Sequence, residues 1–373
     1  MNRNLLFIAL SLFTWGFGEG MFFNFQPIYL AELGSDPQQI GFILGAFGAA
    51  MAITHIPAGY ISDRIGRRPL LITAWLIGFL STLVMAVATA LPLFVVGMLF
   101  YGFTAFVSSP LSSYVTAARG EWSVGRALTL TTATFSFGMI LGPVTGGWIG
   151  EQYSLRTVYF VAAAIFALST LIIVFIRPQP IDRHDPENPP VGLFSNARFV
   201  GFVGVMAFAV FAMYLAQPLT PNYLESAQRL SLGQIGWIFT AGALGNFALA
   251  VGLGGIKPRW GYLIAQACVA LFALLLWRGS GFYAFLLGYF LLGGFRAARP
   301  LASAQARALI HDSQMGLAYG ILETVSSIIF ILTPPLAGFL YERDPYLLYP
   351  LSLGLVAASL LLTFFLLPHP DHR

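Results

Sequence analysis

Apolar residues run along this chain in long blocks set apart by charge, glycine or proline. Twelve blocks, near 5–30, 38–61, 69–90, 92–117, 126–149, 155–177, 199–224, 233–256, 260–278, 281–306, 316–340 and 346–367, match the span of an apolar helix across a bilayer. The first, Leu5 to Leu30, is longer than the core of a secretion signal and is followed by further spans, which predicts a transmembrane helix. The pattern predicts an all-α polytopic membrane protein.

Composition agrees. Residues are 57% hydrophobic and 9% charged, with a mean hydropathy of +0.78, where a soluble domain carries about a quarter charged residues. The net charge of +4 is spread over loops, so no nucleic-acid partner is expected. Cys268 stands alone inside an apolar block, which leaves no intrachain disulfide and no zinc cluster. Thirteen basic residues fall on the face shared by both termini and four on the other, with Arg296 and Arg299 inside a span. That bias places both termini in the cytoplasm, and an inner, plasma-type membrane is expected.

The polar segment Pro178 to Arg198, rich in proline and charge, reads as a solvated linker; His184 and its acidic neighbours belong to it and form no metal site. The expected organisation is residues 1–177, a linker over 178–198, and residues 199–373. The two large segments repeat each other. Gln26-Pro27 returns as Gln217-Pro218, Gln39-Ile40-Gly41 as Gln234-Ile235-Gly236, Arg64-x-Gly66 as Arg259-x-Gly261, and Pro143-x-x-Gly146-Gly147 as Pro334-x-x-Ala337-Gly338, at offsets of 191 or 195 residues. Ordered recurrence of this kind predicts two six-helix bundles related by duplication.

Between the second and third spans, Gly59, Asp63, Arg64, Gly66, Arg67 and Arg68 form the pattern G-x-x-x-D-R-x-G-R-R, expected as a short loop. It resembles the signature of the major facilitator superfamily, a family of secondary transporters, and with the repeat the resemblance covers essentially the whole chain. It implies two pseudosymmetric bundles with a substrate path between them near the bilayer midplane. It also implies that the first, fourth, seventh and tenth helices line that path. Asp63 is then expected to latch onto the start of the eleventh helix near Gly316, with Arg64, Arg67 and Arg68 holding the loop against acids and lipid phosphates. In the fifth span, Gly138, Gly142, Pro143, Gly146 and Gly147 resemble the glycine-proline motif of the family's antiporter branch. The fourth span departs from that branch: it reads Met98-Leu99-Phe100-Tyr101-Gly102, without the arginine of the R-x-x-Q-G pattern.

Ionisable groups inside spans are costly and therefore candidates for function. Glu19 is expected as proton carrier or cation ligand, and Arg296 as ligand for an anionic group or counter-ion to Glu19. Arg299 and Glu323 fall at similar depth on neighbouring helices, which suggests a salt bridge. His55 is expected to serve packing. Asn24, Gln26 and Gln217 are candidate hydrogen-bonding groups of the cavity, and Trp15, Tyr101 and Tyr214 are among its aromatic walls. These features imply proton-coupled efflux of small lipophilic compounds by alternating access, with a proton gradient in place of a cofactor, in a monomer whose partners are substrate, protons and lipid. The alternative is proton-coupled uptake of a metabolite, with an anion paired to Arg296. No H-E-x-x-H, G-x-S-x-G or phosphate loop supports an enzyme.

Overall fold

The computed structural model describes residues 3–178, 196–307, 309 and 315–366, without the side chains of 55–65, 109, 125, 307 and 315–317. Most of the expected linker lies outside the described residues. So do the side chains of His55, Asp63 and Arg64, and with them the expected latch at Gly316.

Every regular element among the described residues is helical. In order these are α1 (Arg3–Phe22), α2 (Gln26–Glu32), α3 (Pro37–Ile65), α4 (Arg67–Val87), α5 (Leu91–Phe103), α6 (Ser108–Ala118), α7 (Val124–Gln152) and α8 (Leu155–Val174). After the linker come α9 (Ala197–Tyr214), α10 (Thr220–Asn222), α11 (Leu232–Gly254), α12 (Pro258–Arg278), α13 (Phe282–Arg307), α14 (Met315–Arg343) and α15 (Leu348–Leu366). Ten segments, counting α1 with α2 and α5 with α6 as one each, are long and apolar enough to cross a membrane. With α3 and α13 they make the twelve expected spans.

Three spans are broken where unbroken helices were expected. The first is interrupted by a 3-10 turn at Phe23–Phe25, the fourth by one at Thr104–Val107, and the seventh ends as α-helix at Tyr214. Proline supplies the physical cause, because its ring clashes with the carbonyl four residues earlier and its nitrogen donates no hydrogen bond. Pro27 displaces the helix at Phe23, Pro110 at Phe106 and Pro218 at Tyr214. The repeated Gln-Pro pairs therefore mark equivalent breaks, although Pro143 lies inside an uninterrupted α7.

The expected loop at Gly59–Pro69 contracts to one residue. Helix α3 continues through Ile65 and α4 starts at Arg67, leaving Gly66 at φ +85° to turn the chain. A side chain at that φ is strained, which is the reason for glycine there. Arg68, expected to face acids or phosphates, instead donates from Nε to Ile176 O at 2.7 Å and from Nη2 to Val174 O at 3.1 Å. It satisfies carbonyls left unpaired at the end of α8. Arg259, 191 residues on, donates to Phe364 O in the last turn of α15. Structurally the repeat therefore matches Arg259 with Arg68, in place of the expected match with Arg64. Replacing Arg68 by glutamine is expected to lower stability by about 1–3 kcal/mol through the orphaned carbonyls. Thermal unfolding in detergent reads this, and an unchanged midpoint would assign Arg68 another role.

The chain divides into two compact units, one of Met1–Ser35, Ala46–Asp185 and Ser231–Thr240, the other of Asp36–Gly45, Pro186–Leu230 and Ala241–Arg373. Within the first, α1 packs on α7 and α8, and α4 on α8. A polar chain ties three of these helices: Trp75 Nε1 donates to Ser169 Oγ at 2.9 Å, and Ser169 Oγ to Ser11 O at 2.7 Å. Within the second, α12 packs on α13 and α15. There Gln266 Nε2 donates to Thr363 Oγ1 at 3.0 Å, while its Oε1 accepts from Ser359 Oγ at 2.8 Å. Gln266 stands 191 residues after Trp75, so different side chains anchor equivalent helices. Such bonds matter because lipid offers a buried polar group no alternative partner.

Candidate functional site

The glycines of the fifth span are contact points. A Cβ on Gly138 would lie 2.4 Å from Phe13 O, one on Gly142 2.6 Å from Gly20 Cα, and one on Gly146 2.0 Å from Met21 O. Bare backbone thus lets α7 press against α1, as small residues do in membrane helix pairs. Gly147 faces the first turn of α11 instead, where a Cβ would lie 2.4 Å from Leu232 O. Nearby, a Cβ on Gly236 would lie 2.6 Å from Pro143 O. The second unit repeats this joint: a Cβ on Gly338 would lie 2.4 Å from Pro37 O, and one on Gly41 2.4 Å from Pro334 O. The repeated motifs are seats for one another.

With α7 against α1 on one side, Glu19 is partly buried, between Gly18 and Gly20. Its Oε2 accepts from Trp15 Nε1 at 2.9 Å, one helical turn back. The buried Tyr101 hydroxyl, from α5, interacts with the same carboxyl, short of a fully formed hydrogen bond. Around this acid the rings of Trp15 and Trp75 lie 4.8 Å apart, Trp15 and Phe166 4.7 Å, and Phe22 and Tyr101 5.4 Å. Trp15 and Tyr101, expected among the aromatic walls of the cavity, are 7% and 4% exposed and belong to the core of the first unit. They reach Glu19 through their polar tips, because an indole or phenol can bury its ring while its donor serves a buried acid. Trp75 and Phe166 were absent from the expected site; only their distant partners, not their local pattern, bring them there.

Gln26, at the break between α1 and α2, is 2% exposed, and its Nε2 has no partner among the described residues. Asn24 is half-buried in the 3-10 turn itself. The equivalent Gln217 bends back to donate to Met213 O at 2.8 Å.

In the second unit Tyr214 stacks on Phe295 at 5.8 Å and meets Phe330 edge-on at 4.9 Å. Arg296, on α13, is exposed and acts electrostatically on Tyr214. One turn further on, Arg299 Nε donates to Glu323 Oε1 at 3.0 Å, and Nη2 closes the ion pair with Oε2. Both side chains are more than half exposed, at 56% and 52%. Where such a pair is open to water at this exposure, it contributes roughly 0–1 kcal/mol. A double-mutant cycle of Arg299→Gln and Glu323→Gln, read by thermal unfolding, is expected to give a coupling in that range; several kcal/mol would mean that the pair is dry.

The family model described as Major Facilitator Superfamily matches residues 8–226 and 201–373. Multidrug resistance protein 2 of Bacillus subtilis (strain 168) is 25% identical over 362 residues, covering 92% of this chain and 90% of that protein. The class H tetracycline resistance protein of Pasteurella multocida is 24% identical over 365 residues, covering 92% and 90%. Among solved structures, the nucleoside transporter NupG superposes with a TM-score of 0.82 at 15% identity, over 98% of this chain and 98% of that one.

Proposed function

The chain belongs to the major facilitator superfamily, and we propose that within it this protein exports small lipophilic compounds in exchange for protons, with Glu19 as the proton-carrying group. The observation that carries this reading is the Glu19 carboxyl, partly buried among aromatic rings and held by the Trp15 indole on the first, proline-broken span. An acid so placed can change charge without unfolding its surroundings, because Trp15 Nε1 bonds its oxygen in either protonation state. Breaks in the first, fourth and seventh spans support a moving substrate path, since discontinuous helices in transporters accompany binding sites. The names of the relatives, resistance proteins for several drugs and for tetracycline, support lipophilic substrates.

The test is transport in proteoliposomes under an imposed pH gradient, with a panel of cationic, neutral and anionic lipophilic compounds. Movement against the proton gradient, with lipophilic cations or neutral compounds preferred, is expected. A second reading, uptake of an anionic metabolite, draws on the exposed Arg296 beside Tyr214. Cotransport of an anion with protons, lost selectively in Arg296→Gln, would replace the first reading with the second.

A further inference from the structure

The last turns of α7 and the first turns of α11 border an open groove of about 620 Å³ within the first unit, lined in part by Val144, Trp148, Glu151, Gln234 and Trp237. Its acid is fixed by backbone. Glu151 Oε2 accepts from Gly233 N at 2.8 Å and from Ser231 Oγ at 3.0 Å. Ser231 in turn caps α11, its Oγ accepting from Gln234 N at 3.3 Å while Gln234 Oε1 accepts from Ser231 N at 3.0 Å. This reciprocal cap satisfies the first turn, and the carboxylate adds a negative charge at the positive end of the helix dipole. Gly233 makes the approach possible, since a Cβ there would lie 2.2 Å from Glu151 Oε2. The second oxygen, Oε1, accepts no hydrogen bond among the described residues.

Depth and chemistry narrow what can fill the groove. Glu151 is next to the last residue of its span and Ser231 precedes the first of another, so span length puts both near the head groups. Trp148 and Trp237, 57% and 55% exposed, stand three residues from Glu151 and six from Ser231, on the deeper side, where tryptophan edges a bilayer. The groove therefore offers a carboxylate at the water edge, two indole side chains below it and apolar Val144 beyond. An amphiphile with a cationic head and an apolar tail matches that order. An ammonium bearing N–H donors suits Oε1 best through a charge-assisted bond, and indole faces attract the same cation. Anionic lipids are repelled by Glu151, and a choline head brings charge but no donor.

We propose that this groove binds the ammonium head of an ethanolamine phospholipid, with Glu151 as its acceptor and Trp148 and Trp237 as its walls. The test is native mass spectrometry of the full chain, equilibrated with equal amounts of ethanolamine, choline and glycerol phospholipids of identical acyl chains. Retention of the ethanolamine lipid is expected to exceed that of the choline lipid about tenfold, as a charge-assisted bond of roughly 1.4 kcal/mol requires. Stepwise methylation of the ammonium in the wild-type protein should remove the preference as donors are lost, whatever the variants do. E151Q retains an acceptor for Gly233 and Ser231 and should bind ethanolamine and choline lipids equally. Equal retention of all three lipids overturns the proposal, as does preference for the glycerol lipid or an ethanolamine preference that survives E151Q. Displacement of the ethanolamine lipid by tetraphenylphosphonium in wild type but not in E151Q would assign the groove to lipophilic cations instead.

Discussion

Glu19→Gln is expected to reduce pH-gradient-driven export to the level of protein-free liposomes, while the protein still folds and still exchanges substrate with no gradient imposed. Glutamine keeps the size of the side chain and an oxygen for Trp15 Nε1, so the local bond at 2.9 Å can persist. What disappears is the carboxyl that would gain and lose a proton. A merely structural Glu19 would show a different pattern, because removing a partly buried acid from a packed site changes stability or yield before it changes coupling. Thermal unfolding and counterflow assays on the same preparation separate the two outcomes. Full gradient-driven transport by the variant would remove Glu19 as carrier.

Gly146→Val is expected to be the most damaging single change in the first unit. Even the first carbon of the new side chain would lie 2.0 Å from Met21 O, and that oxygen belongs to helix backbone that cannot rotate away. Either α1 and α7 separate along their length or the local helix distorts; overpacking of this kind costs typically about 1–3 kcal/mol. Separation would also pull Glu19, two residues from Met21, out of its aromatic surroundings. Low yield of folded protein is therefore expected, with residual transport weakened beyond the loss of yield. Gly201→Ala and Gly204→Ala on α9 supply the control, because nothing lies within 4 Å of either new carbon; both should stay within about 0.5 kcal/mol of wild type. Size-exclusion profiles and unfolding midpoints would decide, and a Gly146 variant as stable as the α9 controls would refute the packing.

Much of this architecture is written in single-chain pattern. Apolar block length marks the spans, and the Gln-Pro pairs at 26–27 and 217–218 mark equivalent breaks because proline acts locally, on the turn that precedes it. The glycines at 41, 147, 236 and 338 were legible as a repeat but not as partners, since no local signal says that Gly41 will meet Pro334. Long-range pairing also hid Trp75 and Phe166 from the Glu19 site, and Ser231 from Glu151. Arginines behaved least as pattern suggests. Arg68 lies in a basic loop signature, yet its guanidinium completes the end of α8 because unpaired carbonyls at a helix terminus attract any donor in reach. The register of the repeat around Arg259 follows that task and not the spacing of the loop motif.

The central claim, that substrate export runs on protons moving the other way through Glu19, is tested most directly by lumenal pH. Vesicles containing the protein and a trapped pH dye are loaded with a transported compound and diluted with no pH gradient present, so that substrate leaves down its own gradient. Exchange predicts that the lumen acidifies in proportion to substrate lost, and that Glu19→Gln vesicles show no acidification. Substrate efflux with constant lumenal pH, or with a lumen that turns alkaline, would contradict it.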